Sequence, residues 1–323
     1  MLTLASGLAN PDDILYDFER NLIFVGEHGS GRVAVLSGTV VDRLQIAVPQ
    51  IEGIVRIGEN YYFGDQTNDR LVRTSGGRLG NPIPFLQLQP LRGIDGLDNM
   101  RSAGATILVP DSARGTLLVV DESGTIIRRI AGFSRPVDAF ALPDGSILVA
   151  DENAGGVWRV LPDDSKSLIA TGLPLADDVV ADPAGRVFTI TINSGRLLEV
   201  GAGGSPAGVA TGFRQPQGLE VDHAGNLLVT DFETGRLLLV VMSFKLPPSP
   251  AVISLQAGQA ICISPIRAPD FAGPITPSQG HGYTVAGADR VVPDHCAEAE
   301  CAVQLTVTSG SLQDRVRIRY SGG

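Results

Sequence analysis

The sequence repeats itself every 40 residues. The repeat is clearest in three segments: RPVDAFALPDGSILVADENAGGVWRV (135–160), LADDVVADPAGRVFTITINSGRLLEV (175–200) and QPQGLEVDHAGNLLVTDFETGRLLLV (215–240). Each reads as a strand, an Asp/Gly turn, a second strand, a glycine-containing turn and a third strand. Three weaker copies precede them and keep the spacing: NPDDILYDFERNLIFVGEHGSGRVAVL, QIEGIVRIGENYYFGDQTNDRLVRT and GIDGLDNMRSAGATILVPDSARGTLLVV. The chain therefore has to stack six equivalent units to bury its apolar faces.

The length of the unit and its strand pattern select the fold class. A repeat of about 40 residues with several short strands is typical of a β-propeller blade. Helical repeats of similar period are excluded, because each unit alternates with period 2 and contains helix-breaking turns. The 39 glycines among 323 residues fit a fold with many tight turns. We therefore predict an all-β protein in which residues 1–245 form a six-bladed β-propeller.

The first residues of the chain predict how the ring closes. The segment MLTLASGLANPDD at the N-terminus resembles KSLIATGLPLADD at 166–178, which contains the outermost strand of a blade. We therefore expect residues 1–6 to supply the outer strand of the last blade. This arrangement closes the ring without a covalent bond.

Two series of mostly acidic residues occupy equivalent positions in the six units. The first series, at the start of the innermost strand, is Asp12, Glu52, Asp95, Val137, Asp177 and Gln217; Asp13, Asp138 and Asp178 directly follow three of its members. The second series, at the end of the next strand, is Glu27, Asp65, Asp111, Asp151, Thr191 and Asp231. Because the two strands are antiparallel neighbours, both series are expected at the same mouth of the central channel.

Converging carboxylates indicate a cation site. Like charges repel and raise one another's pKa unless a cation neutralises them. Oxygen ligands in such number suit a hard cation, with Ca²⁺ the first choice. A structural interpretation competes for the second series, because arginines follow five residues later in four units, at Arg32, Arg70, Arg196 and Arg236. Both interpretations stay open for the residues expected to bind at the channel mouth, which are Asp138, Asp178, Gln217, Asp65, Asp111, Asp151 and Asp231.

The blade pattern resembles a known group of propellers. The order P-x-[GD]-[ILV], DPxG turn, strand, Asp, Gly-Arg, strand is similar to that of NHL-repeat propellers and of the SMP-30/gluconolactonase group, over about residues 1–245. In the lactonase group a divalent metal lies in the channel, held by a Glu, two Asn and an Asp. By position, Asp12, Asp95 and Asp177 match three of these ligands, and Val137 stands at the fourth. Glu52 is a further candidate ligand.

The resemblance implies metal-assisted hydrolysis of a lactone or ester. A cation in the channel would polarise the carbonyl and lower the pKa of a bound water. Asp177 is the predicted base for that proton. His28, in the turn GEHGSG, is a second candidate base, because some related propellers use a histidine there; a solvated turn histidine is the alternative.

The composition of the chain changes at KLPPSPA (245–251). Three prolines within four positions read as a short stiff linker. The remaining residues, 246–323, do not fit the repeat but still alternate as strands, most clearly in CAVQLTVT and QDRVRIRY, which the turn TSGS joins into a hairpin. We predict a small C-terminal β module docked on the ring, because alone it would have a thin core.

All three cysteines lie in this module. A disulfide Cys296–Cys301 or Cys262–Cys301 would staple it, and a metal site using His295, Cys296, Cys301 and His281 is the alternative. The spacing of those four residues matches no standard zinc pattern. A stapled module favours an extracytoplasmic location, periplasmic or secreted, although the first residues do not read as a signal peptide.

Net charge and hydropathy exclude several classes of function. A net charge of −10 argues against nucleic-acid partners, and no apolar run is long enough for a membrane span. Two functions remain: a Ca²⁺-dependent or other divalent-metal-dependent hydrolase acting on a small molecule at the channel, and a non-catalytic NHL-type propeller that binds a protein or glycan. A lyase is a more distant third, since it would usually need more than one histidine at the mouth. Three convergent ligands around the channel would favour the hydrolase.

Overall fold

The computed structural model describes residues 1–38, 40–46, 48–74, 80–89, 96–201, 205–245, 253–255, 259–262, 265–281, 283–287, 290–294 and 301–322. These residues form 33 β-strands and two short 3₁₀ helices, Gln66–Asn68 and Ser112–Arg114. No helix within the described ranges has the length and apolar character that crossing a membrane requires.

Twenty-four strands build the ring. In chain order they are β1 (Leu2–Ser6), β2 (Pro11–Asp17), β3 (Leu22–Glu27), β4 (Arg32–Ser37), β5 (Val40–Gln45), β6 (Ile51–Ile57), β7 (Asn60–Asp65), β8 (Arg70–Arg73), β9 (Ile83–Gln87), β10 (Arg101–Ala103), β11 (Thr106–Asp111), β12 (Thr116–Asp121), β13 (Ile126–Ala131), β14 (Pro136–Ala141), β15 (Ile147–Asp151), β16 (Gly156–Val160), β17 (Lys166–Thr171), β18 (Ala176–Ala181), β19 (Val187–Thr191), β20 (Arg196–Val200), β21 (Pro206–Thr211), β22 (Pro216–Val221), β23 (Leu227–Asp231) and β24 (Arg236–Val240).

The strands form six four-stranded antiparallel sheets, which confirms the predicted six-bladed propeller. Blades 1 to 5 are β2–β5, β6–β9, β10–β13, β14–β17 and β18–β21, each in chain order from the channel outwards. Blade 6 has the order β22-β23-β24-β1, so its outer strand comes from the N-terminus as predicted. Leu2 pairs with Leu239 and Ser6 with Arg236.

A glycine marks the point where the ring closes. The N–H of Leu8 donates to the carbonyl of Gly235 at 3.0 Å. Gly235 has φ +61°, and a Cβ on it would lie 2.5 Å from the carbonyl oxygen of Leu8. Only glycine combines this backbone conformation with this close approach. In blade 4, the N–H of Leu173 donates to the carbonyl of Gly155 in the same way. The N-terminal segment therefore makes with blade 6 the hydrogen bond that blade 4 makes with its own outer segment.

The core consists of apolar layers between neighbouring blades. Every residue of β15 and of β18 is buried, since blades on either side cover both faces of an inner strand. Between blades 1 and 2, Phe24, Tyr61 and Phe63 pack with a set of valines and isoleucines. This packing fixes the inner strands and therefore the side chains that they present to the channel.

Nine further strands form the C-terminal module. They are β25 (Phe244–Lys245), β26 (Ile253–Leu255), β27 (Ile261–Cys262), β28 (Ile266–Arg267), β29 (Thr276–Pro277), β30 (Tyr283–Val285), β31 (Arg290–Pro293), β32 (Cys301–Ser309) and β33 (Leu312–Gly322). β32 and β33 form the expected hairpin, in which Val303 faces Ile318 and Leu305 faces Val316. β25 pairs with β28, so the first strand of the module lies at the predicted boundary at 245.

The module packs on the end of the ring where β2 and β22 finish. The N–H of Gln313 donates to the carbonyl of His223 at 3.0 Å. The guanidinium of Arg315 lies 3.9 Å from the centre of the Phe18 ring. His295, Cys296 and the side chain of Cys262 lie outside the described part of the chain, so the disulfide and its alternative metal site stay predictions.

Candidate metal centre at one mouth of the channel

A β-bulge at the start of the innermost strands turns side chains toward the channel. The β2–β3 register breaks between Pro11 and Ile14, and β6, β18 and β22 break at the equivalent point. A bulge leaves residues out of the ladder and re-aims their side chains. In this ring the re-aimed residues belong to the first acidic series and its direct neighbours.

Three predicted residues meet at the mouth. The Nδ1 atom of His28 lies 2.7 Å from Oε1 of Glu52 and 3.6 Å from Oδ2 of Asp12. One donor atom from each of the three side chains lies within 4.8 Å of the other two, a separation at which a single metal ion could contact all of them. Asp12 and Glu52 are each 5% exposed, so their charges are largely removed from water.

A residue that the sequence analysis did not select completes the first series in blade 3. Asp95, the predicted member, lies outside the described residues. The bridge between Leu97 and Asp111 is equivalent to the pairing of Pro11 with Glu27, and it places Asp98 where Asp12 lies in blade 1. The other blades separate the two series by 13 to 15 positions; Asp98 lies 13 before Asp111, whereas Asp95 lies 16 before it. That spacing was the signal for Asp98.

The carboxylates around the mouth raise one another's pKa. Burial raises the pKa of Asp12 well above its ordinary value; Glu52, Asp98 and Asp13 raise it further, and His28 opposes them. Burial also raises the pKa of Asp177, and Asp178, Asp98, Asp12 and Glu52 act in the same direction. The negative charges of four blades are therefore felt together at this mouth, where a cation would stabilise them.

His28 is oriented by a short chain of polar side chains. The amide Nε2 of Gln50 lies 3.1 Å from His28 Nε2, and the hydroxyl of Thr67 donates to Gln50 Oε1 at 2.7 Å. The ring also packs edge-on against Phe232, with centroids 5.6 Å apart. These contacts turn Nδ1 toward Asp12 and Glu52, which a freely solvated turn histidine would not require.

The residues that follow the first series join neighbouring blades. Asp13 accepts from the N–H of Ile54 at 2.5 Å, Asp138 from Val179 at 2.9 Å and Asp178 from Leu219 at 2.6 Å. In each case donor and acceptor are 41 residues apart, one blade further along the chain. The structure therefore places the predicted mouth residues Asp138 and Asp178 one layer deeper, fully buried, because the bulge directs consecutive side chains differently.

A buried arginine neutralises part of this deeper layer. The Arg101 guanidinium contacts Asp138 at 3.0 Å, Glu220 at 2.9 Å and Asp178 at 3.2 Å, and it also donates to the carbonyl of Leu219. Burial alone would lower the pKa of Arg101, but these carboxylates outweigh it and raise it, so the arginine stays charged. Sequence reasoning missed Arg101 because no other unit repeats it.

The second series is engaged within its own blades. Asp65 contacts Arg70 at 2.8 Å, Asp231 contacts Arg236 at 3.0 Å and Glu27 contacts Arg32 at 3.2 Å. Asp111 instead binds Arg114 at 3.0 Å, and Asp151 accepts from the N–H groups of Ser134, Arg135 and Ala154. These carboxylates are buried and hold turns, which is the structural interpretation of the series. Of the remaining first-series positions, Val137 is buried and Gln217 is partly exposed.

Comparison with known proteins identifies the architecture. No protein-family model matches the chain, and no curated protein sequence matches it. Among solved structures, the chain is similar to a gluconolactonase from Xanthomonas campestris, with a TM-score of 0.62 and 14% identity over 74% of this chain and 88% of that one. It is also similar to the calcium-binding protein regucalcin from Agrobacterium tumefaciens, with a TM-score of 0.61 and 14% identity over 74% of this chain and 92% of that one. A third similar structure is virginiamycin B lyase from Staphylococcus aureus, with a TM-score of 0.57 and 9% identity over 97% of this chain and 96% of that one. At these identities the similarity shows the propeller fold, in agreement with the predicted resemblance.

Proposed function

We propose that this chain is a divalent-metal-dependent hydrolase of lactones or esters that acts at the acidic mouth of the channel. One observation carries the proposal: donor atoms of Asp12, His28 and Glu52 lie within 4.8 Å of one another on three separate elements of the ring. The similarity to a gluconolactonase and to a calcium-binding propeller supports the same assignment.

The donor set suits a divalent cation. Asp12 and Glu52 offer carboxylate oxygens. Asp98 and Asp177 are buried at the same mouth: Asp98 raises the pKa of Asp12, and Asp12 and Glu52 raise that of Asp177. A group of oxygens of this kind favours Ca²⁺. The imidazole of His28 would instead favour Mn²⁺ or Zn²⁺ if it entered the ligand set. We propose Ca²⁺ held by Asp12 and Glu52, with His28 beside it and with Asp98 and Asp177 adding negative charge at the same mouth.

The protein side chains would supply the base and would orient Glu52. A bound cation would polarise the substrate carbonyl and lower the pKa of a water molecule. Asp177 would accept the proton, because it is buried beside the other mouth carboxylates, where a nearby cation would favour its ionised form. His28, held by Gln50, would orient Glu52 through the 2.7 Å contact or act as the second base.

Hydrolysis assays with a panel of lactones and aryl esters test this function. We expect activity in the presence of Ca²⁺, loss of activity with a chelator and recovery when metal is restored. Asp177→Asn should lower kcat by about 10²-fold or more while leaving KM nearly unchanged, since it removes a proton acceptor and no binding contact. Asp163→Asn, an exposed aspartate in a turn of blade 4, is the matched control and should retain full activity.

Metal binding without turnover would point to the non-catalytic alternative. If Ca²⁺ bound at the mouth but no lactone or ester were hydrolysed, the chain would be a metal-stabilised binding propeller. The hydrolase proposal would then be rejected and the metal assignment kept.

A further inference from the structure

A cavity lies at the end of the ring opposite the acidic mouth, between the propeller and the C-terminal module. Its volume is about 290 Å³, close to the lower limit of roughly 300 Å³ for small-molecule sites. The propeller contributes β1, β2, β3, β4 and β24 to its wall, and the module contributes Lys245, Ile266, Arg315 and Val316. The ring and the module therefore share the wall of this cavity.

Most of the wall is aliphatic. Leu4, Ile23, Leu36, Leu239 and Val316 line the cavity and present hydrocarbon to it. At its edge, Leu2 and Ile266 are each 38% exposed, which is high for large apolar side chains. A wall of this kind favours a ligand with a hydrocarbon portion.

Two buried hydrogen-bond donors beside the cavity lack a partner among the described residues. They are the hydroxyl of Tyr16 and the Nε of Arg315, and both residues line the cavity. Burial raises the pKa of the Tyr16 hydroxyl; Lys245 and Arg315 lower it, whereas Asp222 and Asp314 raise it, so this group lies on the side of the module. A buried donor without an acceptor is unfavourable, and an acceptor on a ligand would remove that cost.

Arg315 is the positive side chain at this cavity that can attract an anion. Lys245 already contacts Asp314 at 2.6 Å and Asp222 at 3.4 Å, so its charge is neutralised within the protein. Arg315 has no carboxylate within ion-pair distance among the described residues; the contact identified for its guanidinium is the face of Phe18. It is the positive group at this cavity that remains available to a ligand.

We propose that this cavity binds a small amphipathic carboxylate. The carboxylate group would accept from Arg315 and Tyr16, and the hydrocarbon chain would lie along Leu4, Leu36 and Leu239. The site is separate from the acidic mouth, and it stands whether or not the mouth is catalytic.

Calorimetric titration of the full chain with octanoate tests the proposal. The titration is done with a chelator present, so that no cation at the acidic mouth can hold the carboxylate. We expect octanoate to bind at one site. The uncharged probe of the same length, n-octanol, should bind at least about tenfold more weakly. This comparison needs no variant, so it stays informative even if a substitution disturbs folding.

Paired variants locate the site. Arg315→Gln should weaken octanoate binding about tenfold, and Tyr16→Phe, which removes only the hydroxyl, should weaken it several-fold. Arg129→Gln, an exposed arginine on the outer strand of blade 3, should leave the affinity unchanged. Ile266→Trp should fill the cavity and abolish binding, whereas Ile127→Trp, at a more exposed isoleucine on blade 3, should not.

Three results would overturn the proposal. They are the absence of octanoate binding at about 1 mM, equal affinity for octanoate and octanol, and unchanged octanoate affinity in both folded Arg315→Gln and folded Ile266→Trp.

Discussion

Consecutive residues at the start of the inner strands carry out different tasks. In blade 1, Asp12 faces the channel mouth with Glu52 and His28, while Asp13 accepts the backbone N–H of Ile54 in the next blade. In blade 5, Asp177 and Asp178 divide the work in the same way. In each pair, the first carboxylate therefore faces the proposed cation site and the second joins neighbouring blades.

Arg101 is predicted to be essential for stability. Its removal would leave Asp138, Asp178 and Glu220 buried without their cation. We expect Arg101→Met to lower the free energy of unfolding by about 3–5 kcal/mol, measured by urea denaturation. Arg101→Lys keeps the charge but not the planar fork, so it should recover part of the loss. A loss below about 1 kcal/mol for Arg101→Met would contradict this role.

The deeper layer also predicts how stability depends on pH. Burial raises the pKa of Asp13 from 3.8 to about 7, although Arg101 and the N–H of Ile54 oppose it. Because the pKa is higher in the folded than in the unfolded state, this contribution to stability is complete below 3.8 and is lost as pH rises through about 7.

With a chelator present, the free energy of unfolding should therefore fall between about pH 5 and about pH 8. Asp13→Asn should reduce that fall by on the order of 2 kcal/mol. Denaturation of both proteins at the two pH values provides the measurement, and parallel pH profiles would argue against the assignment to Asp13.

At the scale of elements, β1 holds the ring closed. It supplies the outer strand of blade 6, and Ala5 and Leu8 are buried against that blade and blade 1. The strand contributes both ladder hydrogen bonds and apolar packing, so neighbouring positions on it should differ sharply in their tolerance of substitution.

Ala5→Arg should open the ring, whereas Thr3→Arg should be tolerated. Ala5 is 6% exposed and cannot accommodate a charged side chain, while Thr3 is exposed on the same strand. We expect a large decrease in melting temperature for the first variant and little change for the second, measured by circular dichroism. Deletion of residues 1–8 should have a larger effect still; a truncated protein with unchanged melting temperature would disprove closure by β1.

The repeat made the elements predictable, but it did not determine the site to the same degree. The period and the turn residues predicted six blades. The likeness of the N-terminal segment to 166–178 predicted that β1 supplies the outer strand of blade 6. Both features depend on backbone pattern. Asp98 was missed because Asp95 was assigned to the first series, although the spacing to Asp111 favours Asp98. The direction of Asp138 and Asp178 depends on a bulge, and Arg101 is a single substitution in the repeat, so neither could be derived from periodicity.

At the scale of the whole molecule, the ring has two different ends. One end carries the acidic mouth, and the C-terminal module packs on the other. Lys245 links module and ring, because it contacts Asp314 of β33 and Asp222 of the β22–β23 turn while its ammonium lies 5.8 Å from the Tyr16 ring. These carboxylates outweigh the effect of burial and raise its pKa, which keeps the link charged.

Lys245→Met should therefore loosen the module without unfolding the ring. Two buried carboxylates would lose their cation, and we expect about 3 kcal/mol of destabilisation confined to the module. Hydrogen exchange should show faster exchange in β32 and β33 and unchanged protection in β15 and β19. Uniform loss of protection in both parts would show instead that the module and the ring unfold as one unit.

Cation binding at the acidic mouth underlies the proposed function, and calorimetric titration measures it. We predict one Ca²⁺ site in the wild-type chain, loss of that site in Asp12→Asn, and retention in Asp163→Asn. The absence of binding for Ca²⁺, Mg²⁺, Mn²⁺ and Zn²⁺ at about 1 mM, or undiminished binding in Asp12→Asn, would contradict it.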